Sequence, residues 1–201
     1  MRKRSVKMRG FTLVELVVSL AIFAFMTAFL LAKYGSFNQN VLLTNLAYDT
    51  ALTVRNAQSY GLNVQGTDAV SCAAGYSAGS TCFYYAYGVD FDMTNPTHFT
   101  FFIDSDSSNT FNSGDTTLNT YNMNKGYAIS SICAGNDAAT CTSLGSTGKL
   151  DITFKRPVPD AIIVVNGNAA APVTYAKIVV TANGQTASVI VQSTGEISVG
   201  N

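Results

Sequence analysis

One carboxylate, Glu15, stands inside an otherwise uncharged apolar stretch from Phe11 to Ala32. A charge in the apolar part of a membrane helix is costly and marks a function or a partner. The alternative is a Glu15 solvated at the membrane interface. A second set of residues has the spacing of a cation loop. Asp104, Asp106, Ser108, Thr110 (through its backbone carbonyl), Asn112 and Asp115 fall at positions 1, 3, 5, 7, 9 and 12 of a twelve-residue segment. Calcium takes six to eight oxygens at such spacing. The sixth position is Asn109 rather than Gly, although Asn tolerates the left-handed conformation needed there. The twelfth is Asp, which reaches less far than Glu, and a strand leads in. The competing reading is a polar hairpin loop closed by Asx turns.

No other set suggests catalysis. His98 is the only histidine, so a multi-histidine metal site cannot form. The chain has neither a phosphate-binding loop nor a G-x-S-x-G nucleophile turn, and no enzyme is expected. Lys155-Arg156-Pro157 is a small basic spot near a turn. Tyr84, Tyr85 and Tyr87 are expected to pack a sheet. The four cysteines form two close pairs, Cys72 with Cys82 and Cys133 with Cys141. Neither pair has C-x-x-C spacing, and an even count in Gly/Ser/Ala-rich stretches reads as two local disulfides in an oxidising compartment. That pairing is one of three connectivities, and four free thiols are the alternative.

The elements that must hold these residues follow from composition. The 201 residues suit one globular domain plus an appendage. Apolar residues make up 47% and charged residues 12%. The formal net charge is zero, but five of the twelve basic residues lie in the first ten positions and every acid lies later. Without residues 1–10, seven basic residues face twelve acidic ones, a net of −5. An acidic domain argues against binding nucleic acid phosphates.

The apolar stretch is 22 residues long, and as a helix it spans about 33 Å, enough to cross a bilayer. The basic flank belongs on the cytoplasmic side. A secretory signal peptide would have a shorter apolar core and a small-residue cleavage site after it. A plain signal anchor fits the hydropathy but leaves Glu15 unexplained. Val41, Leu42, Leu46, Tyr48 and Leu52 continue the helix as an amphipathic stripe expected to dock on the following domain, with Gly61 ending it near Tyr60. Gly35 and Ser36 read as a softer point. The resulting segments are 1–10 as basic leader, 11–32 as membrane helix, 33–62 as its amphipathic continuation and 63–201 as a β-rich head.

Strands are expected over Phe83–Phe91, Phe99–Asp104, Thr117–Asn122, Tyr127–Ser131, Leu150–Phe154, Ala161–Val165, Thr174–Thr181, Thr186–Gln192 and Glu196–Val199. Asn183-Gly184 between two apolar runs is a hairpin signal. The fold class is α+β: a long N-terminal helix packed on an antiparallel, two-sheet β domain.

The run Gly10-Phe11-Thr12-Leu13-Val14-Glu15 behind a short basic leader resembles the processing site of type IV pilins and type II secretion pseudopilins. The resemblance implies cleavage by prepilin peptidase between Gly10 and Phe11 and N-methylation of Phe11. It also implies pairing of Glu15 with the Phe11 amine of a neighbouring subunit, and pilin or pseudopilin subunits as partners. More diffusely, the segment Phe99–Asp115 and the C-terminal Ser193-Thr194-Gly195-Glu196-Ile197-Ser198-Val199 resemble H-type pseudopilins and related minor pilins. The absence of a proline in the membrane half leans the same way. Some such minor pilins bind DNA through basic residues after this Thr-Gly, where this chain has Glu196. A DNA-uptake or adhesive minor pilin is therefore the second reading. The implied location is the cytoplasmic membrane with the head outside, and then a filament in the periplasm or at the cell surface.

Overall fold

The computed structural model describes residues 10–63, 85–123 and 126–200. Cys72, Cys82, Phe83 and Tyr84 lie outside them. The chain divides into two compact units, Met1–Asn40 and Val41–Asn201.

The first unit contributes the start of helix α1 (Leu13–Leu62). Thr12 caps it: its Oγ1 accepts the Glu15 N–H at 3.2 Å. This satisfies one donor that a first helical turn leaves open, and Glu15 stands where its charge opposes the positive helix end. Ser19 and Thr27 return their hydroxyls to the carbonyls of Glu15 and Phe23. Polar side chains inside an apolar segment are thus satisfied within the helix. Leu13–Leu31 has a mean hydropathy of 2.4 and no buried share, so it is long and apolar enough to cross a membrane.

The second unit holds residues 41–62 of α1 and ten strands in two antiparallel sheets. The first sheet contains β1 (Ala86–Asp92), β2 (His98–Asp104), β3 (Thr116–Asn122), β6 (Lys149–Phe154) and β7 (Ala161–Val165), in the order β3-β2-β1-β6-β7. The second contains β4 (Ala128–Gly135), β5 (Thr142–Ser143), β8 (Tyr175–Ala182), β9 (Gln185–Gln192) and β10 (Ile197–Gly200), in the order β10-β9-β8-β4-β5. The expected α+β class with a two-sheet head is what the chain adopts. Asn183 and Gly184, with φ of 50° and 80°, make the tight β8–β9 turn that Asn-Gly favours.

One core joins the helix to both sheets. The helix does not dock through the expected large residues: Val41, Leu42, Tyr48 and Leu52 are exposed, and only Leu46 packs on the core. The buried face is Leu43, Ala47, Thr50, Ala51, Thr53, Val54 and Ala57, with Gly61 at its end. Most of these are small and recur at steps of three and four, which keeps one stripe inward along the helix. Small residues let a helix axis lie close to a sheet. Gly61 is the tightest point, one residue before the helix ends: a Cβ on it would stand 2.4 Å from the Phe154 carbonyl oxygen. Tyr60 beside it packs edge-on against Phe101 at 5.7 Å. Arg55 donates to the Ile197 carbonyl at 2.7 Å, and Gln58 to those of Pro159 and Gly195 at 3.0 Å each.

Candidate functional sites at the N-terminal segment and over the first sheet

The N-terminal segment presents its chemistry openly. Gly10, Phe11 and Thr12 precede the helix, and a Cβ on Gly10 would meet nothing within 4 Å. Phe11 is 74% exposed. The Gly10–Phe11 peptide therefore lies outside secondary structure with both residues exposed. Glu15 lies in the first helical turn, exposed like every described neighbour up to Leu31.

The second cluster is built on the outer face of the first sheet. Strand alternation sends Tyr87, Val89 and Phe91 into the core and Gly88, Asp90 and Asp92 to the opposite face. The register places Gly88 between Phe102 and Thr153, and Asp90 between Thr100 and Asp151. Gly88 is required there: a Cβ would lie 2.7 Å from Thr153 Cγ2 and 2.8 Å from Phe102 Cζ.

The β2–β3 connection folds back over this face. Phe111 packs on Phe102 with centroids 5.1 Å apart, and its N–H donates to Asp151 Oδ1 at 2.9 Å. Its carbonyl accepts from Lys149 Nζ, which also stands 5.3 Å over its ring. Thr153 Oγ1 donates to Asn109 Oδ1 at 3.2 Å. A face that alternation alone would leave wet is thereby covered, and Phe102, Asp151 and Thr153 are fully buried.

Within the connection, three of the six expected ligand residues bring their carboxylates together, and Asn112 turns its amide nitrogen toward Asp106, Ser108 and Thr110. Carboxylate oxygens of Asp104, Asp106 and Asp115 lie within 4.8 Å of one another. Asp104 is fully buried and accepts from Ser108 N–H at 3.0 Å and Asn109 N–H at 2.9 Å. Asp115 accepts from Ser105 N–H and Asn112 N–H, each at 2.9 Å. The Asn112 amide nitrogen donates to Asp106 Oδ2 at 2.9 Å, Ser108 Oγ at 3.1 Å and the Thr110 carbonyl at 3.3 Å. Asn109 has the left-handed φ of 60° that its position demands. Burial raises the Asp104 carboxyl to about 6 and pushes Asp115 up as well. The Ser108 side chain, followed by the Asn112 amide, lowers Asp106 to about 2.

Beside the loop lies a group that the sequence reading passed over. Lys149 Nζ is 3.5 Å from Asp90 Oδ1 and 3.8 Å from Asp151 Oδ1. Asp90 Oδ1 and Asp151 Oδ2 are buried without a hydrogen-bond donor. Burial raises Asp151 to about 8, helped by the charge of Asp90. Burial also raises Asp90, against the pull of Lys149. The only sequence signal was a period-two polar pattern, Gly88-Asp90-Asp92 and Lys149-Asp151-Thr153, which reads as a solvent face. A cleft of about 420 Å³ opens next to the pair, with Asp90, Asp92, His98 and Lys149 among its walls.

Cys133, at the end of β4, and Cys141 are joined by a disulfide with Cα atoms 5.4 Å apart. The two-residue strand β5, which the sequence reading did not anticipate, follows immediately and pairs back on Cys133 and Ala134. Tyr87 is in the core and Tyr85 packs against it. His98 opens β2, half-buried.

A family model described as the prokaryotic N-terminal methylation motif matches residues 6–31. That motif is the hallmark of type IV pilins and pseudopilins, so this chain carries a pilin-type N-terminus. No curated protein and no solved structure matches the chain.

Proposed function

We propose that the protein is a structural subunit of a type IV pilus-like or type II secretion pseudopilus filament, of the H-type pseudopilin or minor pilin kind. Prepilin peptidase cuts it between Gly10 and Phe11, and the new Phe11 amine is methylated. The subunit waits as a single-pass protein of the cytoplasmic membrane with its head outside, and then enters the filament through its N-terminal helix. The observation that supports this reading is the methylation motif at residues 6–31 overlapping the helical segment Leu13–Leu31, which is apolar and has no buried share. Such a surface needs lipid or other helices around it. Cleavage at Gly10 leaves the Thr12 cap on the mature side, so the helix start survives processing.

Glu15 is the assembly residue. In a low-dielectric bundle of helices an unpaired carboxylate is strongly penalised, and the Phe11 amine of a neighbour relieves it. The pair marks register between subunits. The test is Glu15→Leu, in cells that make the filament. The Thr12 cap uses the Glu15 backbone N–H, so the substitution leaves it in place. We expect cleavage and membrane insertion at wild-type level, with incorporation into filaments falling at least tenfold. Incorporation at wild-type level would sink the role given to Glu15.

We also propose that the loop from Asp104 to Asp115 takes a calcium ion. Its support is the convergence of three carboxylates within 4.8 Å together with Ser108 and the Thr110 carbonyl around one amide nitrogen. Asn112 would have to turn its amide oxygen inward to become a ligand. The donors are all oxygen, as calcium requires. Calorimetric titration of the purified chain checks this, with heat of binding expected for calcium and lost in Asp106→Ala. The absence of heat at millimolar calcium would contradict it.

A further inference from the structure

We propose that Lys149 and Asp90 condense to an intramolecular isopeptide bond, with Asp151 as the acid–base group, so that the head is stapled covalently between β1 and β6. The geometry carries it. Lys149 and Asp90 are diagonal neighbours on one face of paired strands: Asp92 is opposite Lys149 and Asp90 is opposite Asp151. Diagonal side chains are within reach of long residues, and here the amine already stands 3.5 Å from the carboxyl oxygen of Asp90. The third member, Asp151, is fully buried and 3.8 Å from the same nitrogen. Phe111 roofs the group through its ring and backbone.

The chemistry of the three groups is complementary. Two buried carboxyls face one ammonium, so one proton is retained between the acids, which then hydrogen-bond to each other. Asp151 holds that proton, as its burial and the charge of Asp90 dictate, and Asp90 stays the carboxylate beside Lys149. Lys149 Nζ gives one proton to the Asp90 carboxylate beside it, and the neutral amine attacks Asp90 Cγ. The C–N bond forms, Asp151 gives its proton to the departing hydroxyl, the C–O bond breaks and water leaves, and Asp151 takes a proton back from the nitrogen. The sum is one ammonium and one carboxylate giving one amide and one water, with no oxidant, reductant or cofactor.

Two physical terms drive the condensation where free amines and acids in water do not react. Held in contact, the reactants have effective molarities on the order of 10⁵–10⁸ M. Condensation also removes a half-buried ammonium and a buried carboxylate, which are costly to keep desolvated, and replaces them with a neutral amide. Asp90 Oδ1, which accepts no hydrogen bond before the reaction, belongs to the carboxyl that is consumed. Asp92, His98 and Thr100 face the same cleft and leave its outer side open for water to depart.

The test is mass spectrometry of the full chain extracted from membranes. Intact mass, after the disulfides are counted, is expected 18 Da below the value for the chain present, whether it begins at Met1 or at a methylated Phe11. Trypsin is expected not to cut after Lys149, and the fragment 56–125, which holds Asp90, is expected joined to 126–155. Lys149→Arg keeps the positive charge but cannot condense under these conditions, and should restore full mass and release the fragments. Asp151→Asn keeps both reacting groups and should leave them unjoined. A wild-type chain that is folded by circular dichroism but has full mass and is freely cut after Lys149 would overturn the proposal. A loss of 18 Da located outside the joined fragments would overturn it as well.

Discussion

Leu43 and Leu52 lie nine positions apart on α1 and are chemically identical, yet they sit on opposite sides of the packing account. Leu43 is 3% exposed within the core, and Leu52 is 56% exposed. Truncating a buried leucine to alanine removes transfer free energy and leaves a cavity, at about 2–5 kcal/mol. Leu43→Ala should fall in that range, because the stripe around it is held by Ala47 and the sheets and has little room to collapse. For Leu52 less than half the side chain is removed from water and no enclosed cavity forms, so Leu52→Ala should cost well under about 1 kcal/mol. Thermal unfolding of the full chain in detergent, followed by near-ultraviolet dichroism of its tyrosines, reads the difference. At about 2–4 °C per kcal/mol for a unit of this size, Leu43→Ala should lower Tm by about 4–20 °C and Leu52→Ala by less than about 4 °C. Equal losses, or a larger loss for Leu52→Ala, would refute the assignment of the buried face. The contrast also bears on assembly: Val41, Leu42, Tyr48 and Leu52 are left free for contacts outside the subunit.

Gly88→Ala should destabilise the head by about 1–3 kcal/mol in urea titration, because the added carbon meets both Thr153 and Phe102. Replacing Cys133 and Cys141 together by serine opens a short loop, and should lower stability by about 2–3 kcal/mol in chemical denaturation. The pH dependence has a definite sign: Asp104 sits at about 6 in the fold against an ordinary value of 3.8, so it favours the folded state fully below about pH 4. That contribution is lost as pH rises through 6 and amounts to roughly 3 kcal/mol at most. Asp115 shifts in the same direction. Melting in chelator at pH 4.5 and 7.5 should therefore show a loss that added calcium reverses at the higher pH, where the carboxylates are free to ligate.

Much of the fold was legible because the signals were local. The apolar run from Phe11 carries its own length and charge pattern, and the head strands announce themselves by alternation and by turn residues such as Asn183-Gly184. What escaped depends on partners distant in sequence. The docking stripe was sought among large residues, whereas close approach to the sheets selected Ala47, Thr50, Ala51, Val54 and Ala57. Gly61 read as a helix stop, and the helix does end one residue later at Leu62; what the sequence did not show is that Gly61 also clears the Phe154 carbonyl. β5 is two residues long and is placed by pairing to β4 beside the disulfide. The loop residues Asp104–Asp115 were found by spacing. The Lys149–Asp90–Asp151 group was not, since nothing local tells a strand face covered by Phe111 from one facing water.

The central claim is that this chain is a substrate of prepilin processing, and the N-terminus of the protein taken from its native membrane or filament tests it most directly. Peptide mass spectrometry should find a mature chain that begins at Phe11 with a methylated amine, residues 1–10 having been removed. A chain that still begins at Met1, in cells with an active prepilin peptidase, would contradict the account and leave a membrane-anchored domain in which Glu15 has no assembly role.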